Sequence, residues 1–228
     1  MKSVILAVAF ALPLAAHAES FFQIEAGLGV TQYETQDGRW YQQGMPVSSV
    51  SARNLAWSVG ATGALLQRGR WGIDWHVDYV NLGRAAAACE CTPNDANYNP
   101  STHAYNPNVA PAPLAYFTGN GRSQGFVLSV ESYYWLQGVR LGVEVGAYVN
   151  YSQWQENVYG WTTDYATARR DLSISTCYWG VVPVVGASVG NETWLVGYRH
   201  YFTSRQHLHE EYPPVWNDVD VIELKYRF

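Results

Sequence analysis

Two carboxylates and an imidazole alternate with apolar residues in the run Asp74-x-His76-x-Asp78. In a β-strand, alternate residues share one face and lie ~6.6 Å apart. Carboxylates and imidazoles are metal ligands, but at this spacing they do not converge well on one ion. The pattern therefore favours a polar ladder on one face of a sheet, and we predict neither a metal nor a cofactor.

A second candidate site centres on His200, which alternation places on the apolar face of its segment. An ionisable side chain on a face that meets lipid is costly and marks a site hypothesis. Ser204 shares this face if the segment continues, and Asp220 has the same parity on the final segment. The alternative is an imidazole held at an interface beside aromatic rings. The run 207–211 offers two more His and two Glu, in a segment that is typical of a solvated loop.

The segments that carry these residues alternate with a period of two, which is the pattern of β-strands. Eight such segments are predicted, at about 22–31, 55–65, 71–79, 124–136, 139–150, 172–188, 194–202 and a last one ending at Phe228. Short turns join them at 67–70, 137–138 and 189–192, and long connections lie at 32–53, 83–123, 152–171 and 203–217. Short turns alternating with long loops are typical of a bacterial transmembrane barrel.

The composition supports a membrane environment. The chain has 10 Trp and 17 Tyr, and aromatic rings form belts where a membrane barrel meets both interfaces. These belts are predicted at one end from Phe22, Trp71, Tyr134, Trp194 and Phe228, and at the other from Tyr33, Tyr79, Tyr151, Phe202 and Trp216. The sequence therefore predicts an all-β fold: a single antiparallel transmembrane β-barrel of eight strands, with short periplasmic turns and long extracellular loops. A soluble lipocalin-like barrel is the alternative, but its outward residues would be polar.

The opposite face of the predicted strands is charged. A lumen polar network is predicted from Glu25, Asp74, His76, Asp78, Glu131, Arg140, Glu144 and Arg199, with Lys225 as a further candidate. Unpaired buried charges are costly, so we expect the two arginines to pair with some of these carboxylates. An eight-stranded barrel is about filled by its own side chains, which favours a packed core over a narrow polar conduit.

Both ends of the chain indicate export. Residues 1–18 have a basic start, an apolar run and a small-x-small cleavage site, as in a secretory signal peptide, which leaves 19–228 as the barrel domain. The final strand places Ile222, Leu224, Tyr226 and Phe228 on one face, and we interpret these residues as a sorting signal for barrel-assembly machinery. Loss of Lys2 takes the formal net charge from −5 to −6, which argues against nucleic acid as a partner.

The three cysteines give no unique pairing. Cys89 and Cys91 are one residue apart in the longest predicted loop, where a disulfide would be strained. Cys177 is predicted to face inward in the middle of a strand. The loop 83–123 is rich in Ala, Asn and Pro and is a candidate contact for a surface ligand.

The whole predicted domain resembles the small eight-stranded outer-membrane barrels of the OmpA/OmpX-like class, on strand count, loop asymmetry and the terminal Phe228. The last hairpin also resembles the lipid A 3-O-deacylase family, which carries His-x-Ser-Asn on its penultimate strand and an acidic residue that orients the histidine. This resemblance implies His200 as base and Asp220 as orienting acid. Phe202 stands in the position of the serine, and Ser204 lies one same-face step beyond it.

Three functions follow from these patterns. The leading hypothesis is an integral outer-membrane barrel that contacts outer-membrane lipid and lipopolysaccharide, with a structural or surface-interaction role through its long loops and no enzymatic activity. The alternatives are a lipid A-modifying hydrolase centred on His200 and Asp220, and a narrow channel for small solutes through the charged lumen.

Overall fold

The computed structural model describes residues 22–35, 48–91, 98–99, 104–105, 115–161, 170–203 and 216–228. These residues form eleven strands: β1 Gln23–Thr35, β2 Ser48–Ser51, β3 Arg53–Arg68, β4 Trp71–Cys91, β5 Tyr98–Asn99, β6 Ala104–Tyr105, β7 Ala115–Leu136, β8 Val139–Trp161, β9 Arg170–Gly190, β10 Trp194–Tyr201 and β11 Trp216–Arg227. Within these ranges, no helix is long and apolar enough to cross a membrane.

Eight of the strands close into one antiparallel ring, in the order β1-β3-β4-β7-β8-β9-β10-β11. The ring closes because β11 pairs with β1 and β4 pairs with β7. Strand β2 adds to β4 beyond the end of β3, and β5 and β6 pair only with each other. The predicted eight-stranded antiparallel barrel is confirmed.

Tight turns lie at one end of the barrel, which we call the turn end. Gln137 and Gly138 join β7 to β8 with φ angles of 51° and 85°, the left-handed pair that a two-residue type I′ hairpin requires. Gly69, with φ 62°, makes the turn between β3 and β4, and residues 191–193 join β9 to β10. All other connections leave from the opposite end, which we call the loop end.

Strands β4 and β7 are much longer than the sequence predicted. Residues 84–91 pair with 115–122, so both ends of the predicted loop 83–123 are hydrogen-bonded sheet, and its predicted extent was wrong. The run of four alanines at 85–88 hid the strand, because small residues on both faces give no apolar–polar alternation. Ala85 and Ala87 are buried on the inner face.

The outer surface of the barrel is apolar. Val143, Val181 and Leu28 are 64%, 68% and 58% exposed, and the other outward side chains of these strands are similar in kind. The inner face carries the buried charged residues. This inside-out distribution matches a membrane barrel and opposes the water-soluble alternative.

Aromatic rings border the apolar surface at both ends. At the turn end, the Tyr226 ring lies 4.7 Å from the rings of Trp194 and Phe228. At the loop end, Tyr151 packs 4.9 Å from Trp179. Other outward rings at these levels are Phe22, Trp57, Trp71, Tyr79, Phe126 and Tyr134.

Two aromatic residues that were predicted in the loop-end girdle, Tyr33 and Trp216, are not observed there. Tyr33 was predicted in the loop-end girdle but is 1% exposed on the inner face, where its hydroxyl donates to the carbonyl of Leu82 at 3.0 Å. The prediction was wrong because Tyr33 shares the parity of Glu25, which faces inward. The side chain of Trp216 lies outside the described part of the chain.

Pro183 lies where β10 ends and causes no bulge in the β8–β9 ladder. Its carbonyl accepts a hydrogen bond from the Phe202 amide at 3.2 Å. Because the amide and carbonyl of a strand residue point to the same side, the donor that proline lacks would also face β10. Pro183 therefore costs the β8–β9 ladder no hydrogen bond.

Candidate functional site

The lumen holds every member of the predicted polar network. Glu25, Asp74, His76, Asp78, Glu131, Arg140, Glu144 and Arg199 are all buried on the inner face. Strands β1, β4, β7, β8 and β10 bring them from distant parts of the sequence into one cluster of ion pairs.

Arg199 is the central cation of this network. Its guanidinium donates to Asp78 at 2.5 Å and to both oxygens of Glu144 at 2.7 and 2.9 Å. Glu223 lies 3.5 Å from Nη1. One arginine thus compensates charge on three carboxylates that come from three different strands.

Arg140 holds the end of the network nearer the turns. It donates to Asp74 at 2.8 Å and also to Glu131. Its guanidinium lies 4.0 Å from the ring centroid of Tyr133, a cation–π distance. His76 links the two halves, because its nitrogens lie 3.2 Å from Glu25 and 3.3 Å from Glu131.

Three residues of the last strand complete the network. Lys225 donates to Glu25 at 2.7 Å and to Asp78 at 2.8 Å, and Arg227 donates to Glu25 at 3.2 Å. Lys225 was predicted only as a further candidate, and Glu223 and Arg227 were not among the predicted lumen residues. The signal was present, since both share the parity of Lys225.

The position of Lys225 bears on whether the run Asp74-x-His76-x-Asp78 could bind a metal ion. Glu25, His76 and Asp78 do converge, but the Lys225 ammonium lies within hydrogen-bond distance of both carboxylates. A lysine therefore occupies the position in which a cation would bind.

Inward-facing glycines make room for the carboxylates. A Cβ on Gly60 would collide with the Asp78 carboxylate, and one on Gly142 would collide with Glu131. We infer that these strands carry glycine here because the neighbouring strand places a charged side chain against the backbone.

Aromatic side chains close the lumen towards the loop end. Tyr33, Tyr148, Trp154 and Tyr201 are each at most 1% exposed, and the rings of Tyr148 and Tyr201 lie 4.9 Å apart. Below them, the void beside His76 and Arg199 has a volume of about 20 Å³, which is about the space of one water molecule. The middle of the described lumen is therefore packed, whereas an open pocket of about 400 Å³ lies at the turn end, with Asp74, Arg140 and Arg227 among its lining.

The second predicted site lies on the outer face near the loop end. His200 and Asp220 pair across β10 and β11, and Nδ1 of His200 lies 2.8 Å from Oδ1 of Asp220. The Tyr198 hydroxyl donates to the same oxygen at 2.6 Å. Nε2 of His200 lies 3.7 Å from Oδ2 of Asp218, and Glu34 also approaches His200 and Asp220. We call Glu34, His200, Asp218 and Asp220 the outer-rim cluster.

The structure brings together two of the three residues predicted for catalysis. Ser204 lies outside the described residues. Phe202 occupies the next same-face position after His200, and the two rings pack edge to face with centroids 4.4 Å apart. Glu34 and Asp218 were not predicted at this site, because their approach to His200 depends on the register of three strands and no local pattern encodes it.

Four strands continue past the loop-end girdle. We call residues 84–91, 115–122, 153–161 and 170–177 of β4, β7, β8 and β9 the projecting sheet; they pair in that order. A cleft of about 430 Å³ lies on its outer side, with Arg84, Arg122 and Gln153 among its lining. Cys177 also lines this cleft and is exposed, so its predicted inward orientation was wrong. The Ser-rich start of β9 gave no alternation from which to assign a face.

The inner side of the projecting sheet buries one carboxyl group. The Trp154 indole donates to Glu156 at 3.4 Å. Burial raises the pKa of Glu156 above its usual value, and this hydrogen bond only partly opposes the shift.

The predicted sorting residues lie on the outer face of β11. Ile222, Leu224 and Phe228 are 60%, 48% and 58% exposed, and the Phe228 amide donates to the Ile24 carbonyl at 2.9 Å. The terminal residue is therefore anchored to the first strand of the ring.

No protein-family model matches this chain, and no curated protein matches it. Among solved structures, it is similar to Ail, the attachment invasion locus protein of Yersinia pestis, with 9% identity, a TM-score of 0.43, and coverage of 91% of this chain and 97% of that chain. The complex of Ail with the heparin analogue sucrose octasulfate has 9% identity and a TM-score of 0.35, with coverage of 92% of this chain and 100% of that chain. The backbone structure of Ail in a phospholipid bilayer nanodisc has 7% identity and a TM-score of 0.30, with coverage of 90% of this chain and 99% of that chain. A likeness this weak says nothing about what this chain binds.

Proposed function

We propose that this protein is an integral outer-membrane barrel whose projecting sheet contacts partners outside the cell. The observation that carries the proposal is the unequal length of the strands. Strands β4, β7, β8 and β9 have 21 to 23 residues, whereas β10 has 8. About 9–11 residues suffice to cross a membrane, so the surplus sheet extends into water.

The edge of the projecting sheet supports a protein partner. Strand β10 pairs with β9 only from Val184 onwards, and Pro183 accepts the last bond. Among the residues that the structure describes, none pairs with the second edge of β9 at 170–182. Unpaired amides and carbonyls at a sheet edge can take up an extended segment of another protein.

Two arginines support contact with outer-membrane lipid and lipopolysaccharide. Arg84 and Arg122 are directly opposite each other in the β4–β7 register, close to the girdle ring of Tyr151. Like charges directly opposite each other are unfavourable, and an anion between them would relieve the repulsion. Phosphate suits this position, because guanidinium groups bind it in a bidentate manner.

Export and assembly belong to the same proposal. The predicted signal peptide, residues 1–18, lies outside the described residues. The exposed apolar side chains that end at Phe228 are available on the outer face for recognition by assembly machinery. Orientation follows from the strand lengths, with the turn end in the periplasm and the projecting sheet outside.

Shortening the projecting sheet tests the proposal. We expect that replacing residues 86–120 by a short Gly-containing turn abolishes adhesion of barrel-expressing bacteria to an epithelial monolayer, because it removes most of the β4–β7 extension. Adhesion is counted against cells with the full chain and cells with empty vector. Heat-modifiable mobility on gels shows that the shortened barrel still folds. Equal adhesion of the two barrels, both above the vector, would contradict the proposal.

A lipid A-modifying hydrolase is the second candidate, and the 2.8 Å contact between His200 and Asp220 favours it. Nucleophilic catalysis also needs a hydroxyl within reach of the base. In the described part of the outer rim, the His200 ring packs against Phe202. The aromatic ring therefore occupies the same-face position in which the resemblance implies a serine.

We therefore expect no deacylation. Lipid A extracted from a heterologous outer membrane should have the same mass spectrum with the wild-type barrel, with His200→Ala and with empty vector. Loss of one acyl chain with the wild type alone would establish the hydrolase instead. The narrow-channel hypothesis has less support, since the aromatic layer of Tyr33, Tyr148 and Tyr201 closes the described lumen.

A further inference from the structure

We propose that the outer-rim cluster is a binding site for a divalent cation of the zinc type. Glu34, His200 and Asp220 each bring a ligand atom to within 4.8 Å of the others, and Asp218 approaches His200 from the same strand as Asp220. Imidazole and carboxylate together are a ligand set that zinc accepts. The inference is independent of the proposed surface role.

The first feature that supports the site is the orientation of the His200 ring. Its Nδ1 faces Asp220 at 2.8 Å, and the Tyr198 hydroxyl fixes that carboxylate at 2.6 Å. Metal-binding histidines commonly donate one nitrogen to a carboxylate, which orients the ring and leaves the other nitrogen to the metal. Asp220 holds this orienting position, so Nε2 of His200 is the candidate ligand.

The second feature is the gap between Nε2 of His200 and the Asp218 carboxylate. Nε2 and Oδ2 of Asp218 are 3.7 Å apart, too far for a hydrogen bond. Two ligands of a tetrahedral zinc ion, each about 2.0–2.1 Å from it, lie roughly 3.3 Å apart. A small movement would therefore let one ion bind both atoms. Glu34, which has a carboxylate oxygen within 4.8 Å of ligand atoms of His200 and Asp220, is the candidate third ligand, and the fourth position would be open to water or a phosphate oxygen.

The third feature is the negative charge of the outer-rim cluster. Three carboxylates surround one imidazole on the outer surface, beside the Phe202 ring and near the apolar surface of the barrel. Charge in such a position is costly. A divalent cation would neutralise most of it. The imidazole favours zinc over calcium or magnesium, which prefer oxygen ligands.

A metal titration tests the site on the full chain, folded in detergent and freed of metal with a chelator. Cys89, Cys91 and Cys177 are replaced by Ser, because thiolates would bind zinc themselves. We expect calorimetry to show one Zn²⁺ site, which His200→Ala abolishes and Asp220→Asn weakens about 10- to 100-fold. The same site should discriminate against Ca²⁺ and Mg²⁺.

The controls separate this site from the other histidines. His207→Ala/His209→Ala should leave the affinity unchanged, since the run 207–211 is the competing source of ligands. Asp218→Asn keeps the His200–Asp220 contact, so weaker zinc binding by this variant without altered heat-modifiable mobility would support the site directly. Absence of zinc binding, or binding that is lost in the 207/209 variant and retained in His200→Ala, would overturn the proposal.

Discussion

Replacing Arg199 by Met should destabilise the barrel by about 3–5 kcal/mol, because removal of one partner from a buried ion cluster leaves uncompensated charge. Arg199 donates to Asp78 and Glu144 and lies near Glu223. Met fills similar space but donates nothing. The measurement is urea unfolding of the refolded barrel in lipid vesicles.

Two further variants show whether charge causes the loss. Arg68→Met removes an exposed arginine at the end of β3 and should change the free energy of unfolding by less than about 0.5 kcal/mol. Adding Glu144→Gln to Arg199→Met should restore part of the stability, since it removes the carboxylate that has lost its cation. Asp78 is left unchanged because it keeps the Lys225 ammonium at 2.8 Å. An Arg199→Met barrel as stable as the wild type would show that the lumen is hydrated rather than packed around ion pairs.

Val145→Arg should cost about 2–4 kcal/mol, the penalty for a cation at the bilayer midplane on a lipid-facing strand. Val145 is 53% exposed on the outer face of β8. It lies between the two girdles, with Val130 and Val185 as its cross-strand neighbours. In water, an exposed Val→Arg change would cost little, so the penalty measures immersion in lipid.

The matched control lies on the same strand and the same face. Gln155 is exposed on the projecting part of β8, and Gln155→Arg should change the unfolding free energy in vesicles by no more than about 1 kcal/mol. Equal effects of the two substitutions would mean that the apolar surface at Val145 is not in lipid.

The sequence predicted the ring of strands because alternation survives wherever one face meets lipid and the other meets charge. It underestimated β4 and β7, since strand residues outside the membrane need no apolar face: the alanines at 85–88 belong to a ladder that only pairing with 115–122 reveals. The same reason explains Cys177, because Ser175 and Thr176, which precede it on opposite faces, are both small and polar.

The two candidate sites differ in how far the sequence could define them. Parity alone selected the lumen residues, because every inward charge of a narrow barrel meets the others. The outer-rim cluster depends on register: Asp220 opposes His200 only because β10 and β11 pair as they do, and Glu34 joins from β1. The run Asp74-x-His76-x-Asp78 suggested a metal site, but the ammonium of Lys225, which is distant in sequence, occupies the position of the cation beside Asp78.

Cysteine accessibility on intact bacteria tests the membrane topology most directly. In a background without Cys89, Cys91 and Cys177, a membrane-impermeant maleimide should label Gln155→Cys on whole cells and should not label Val145→Cys. Glu192→Cys, in the turn between β9 and β10, should be labelled only after the outer membrane is permeabilised. Labelling of Glu192→Cys but not Gln155→Cys on whole cells would contradict the orientation, and labelling of Val145→Cys would contradict the membrane barrel itself.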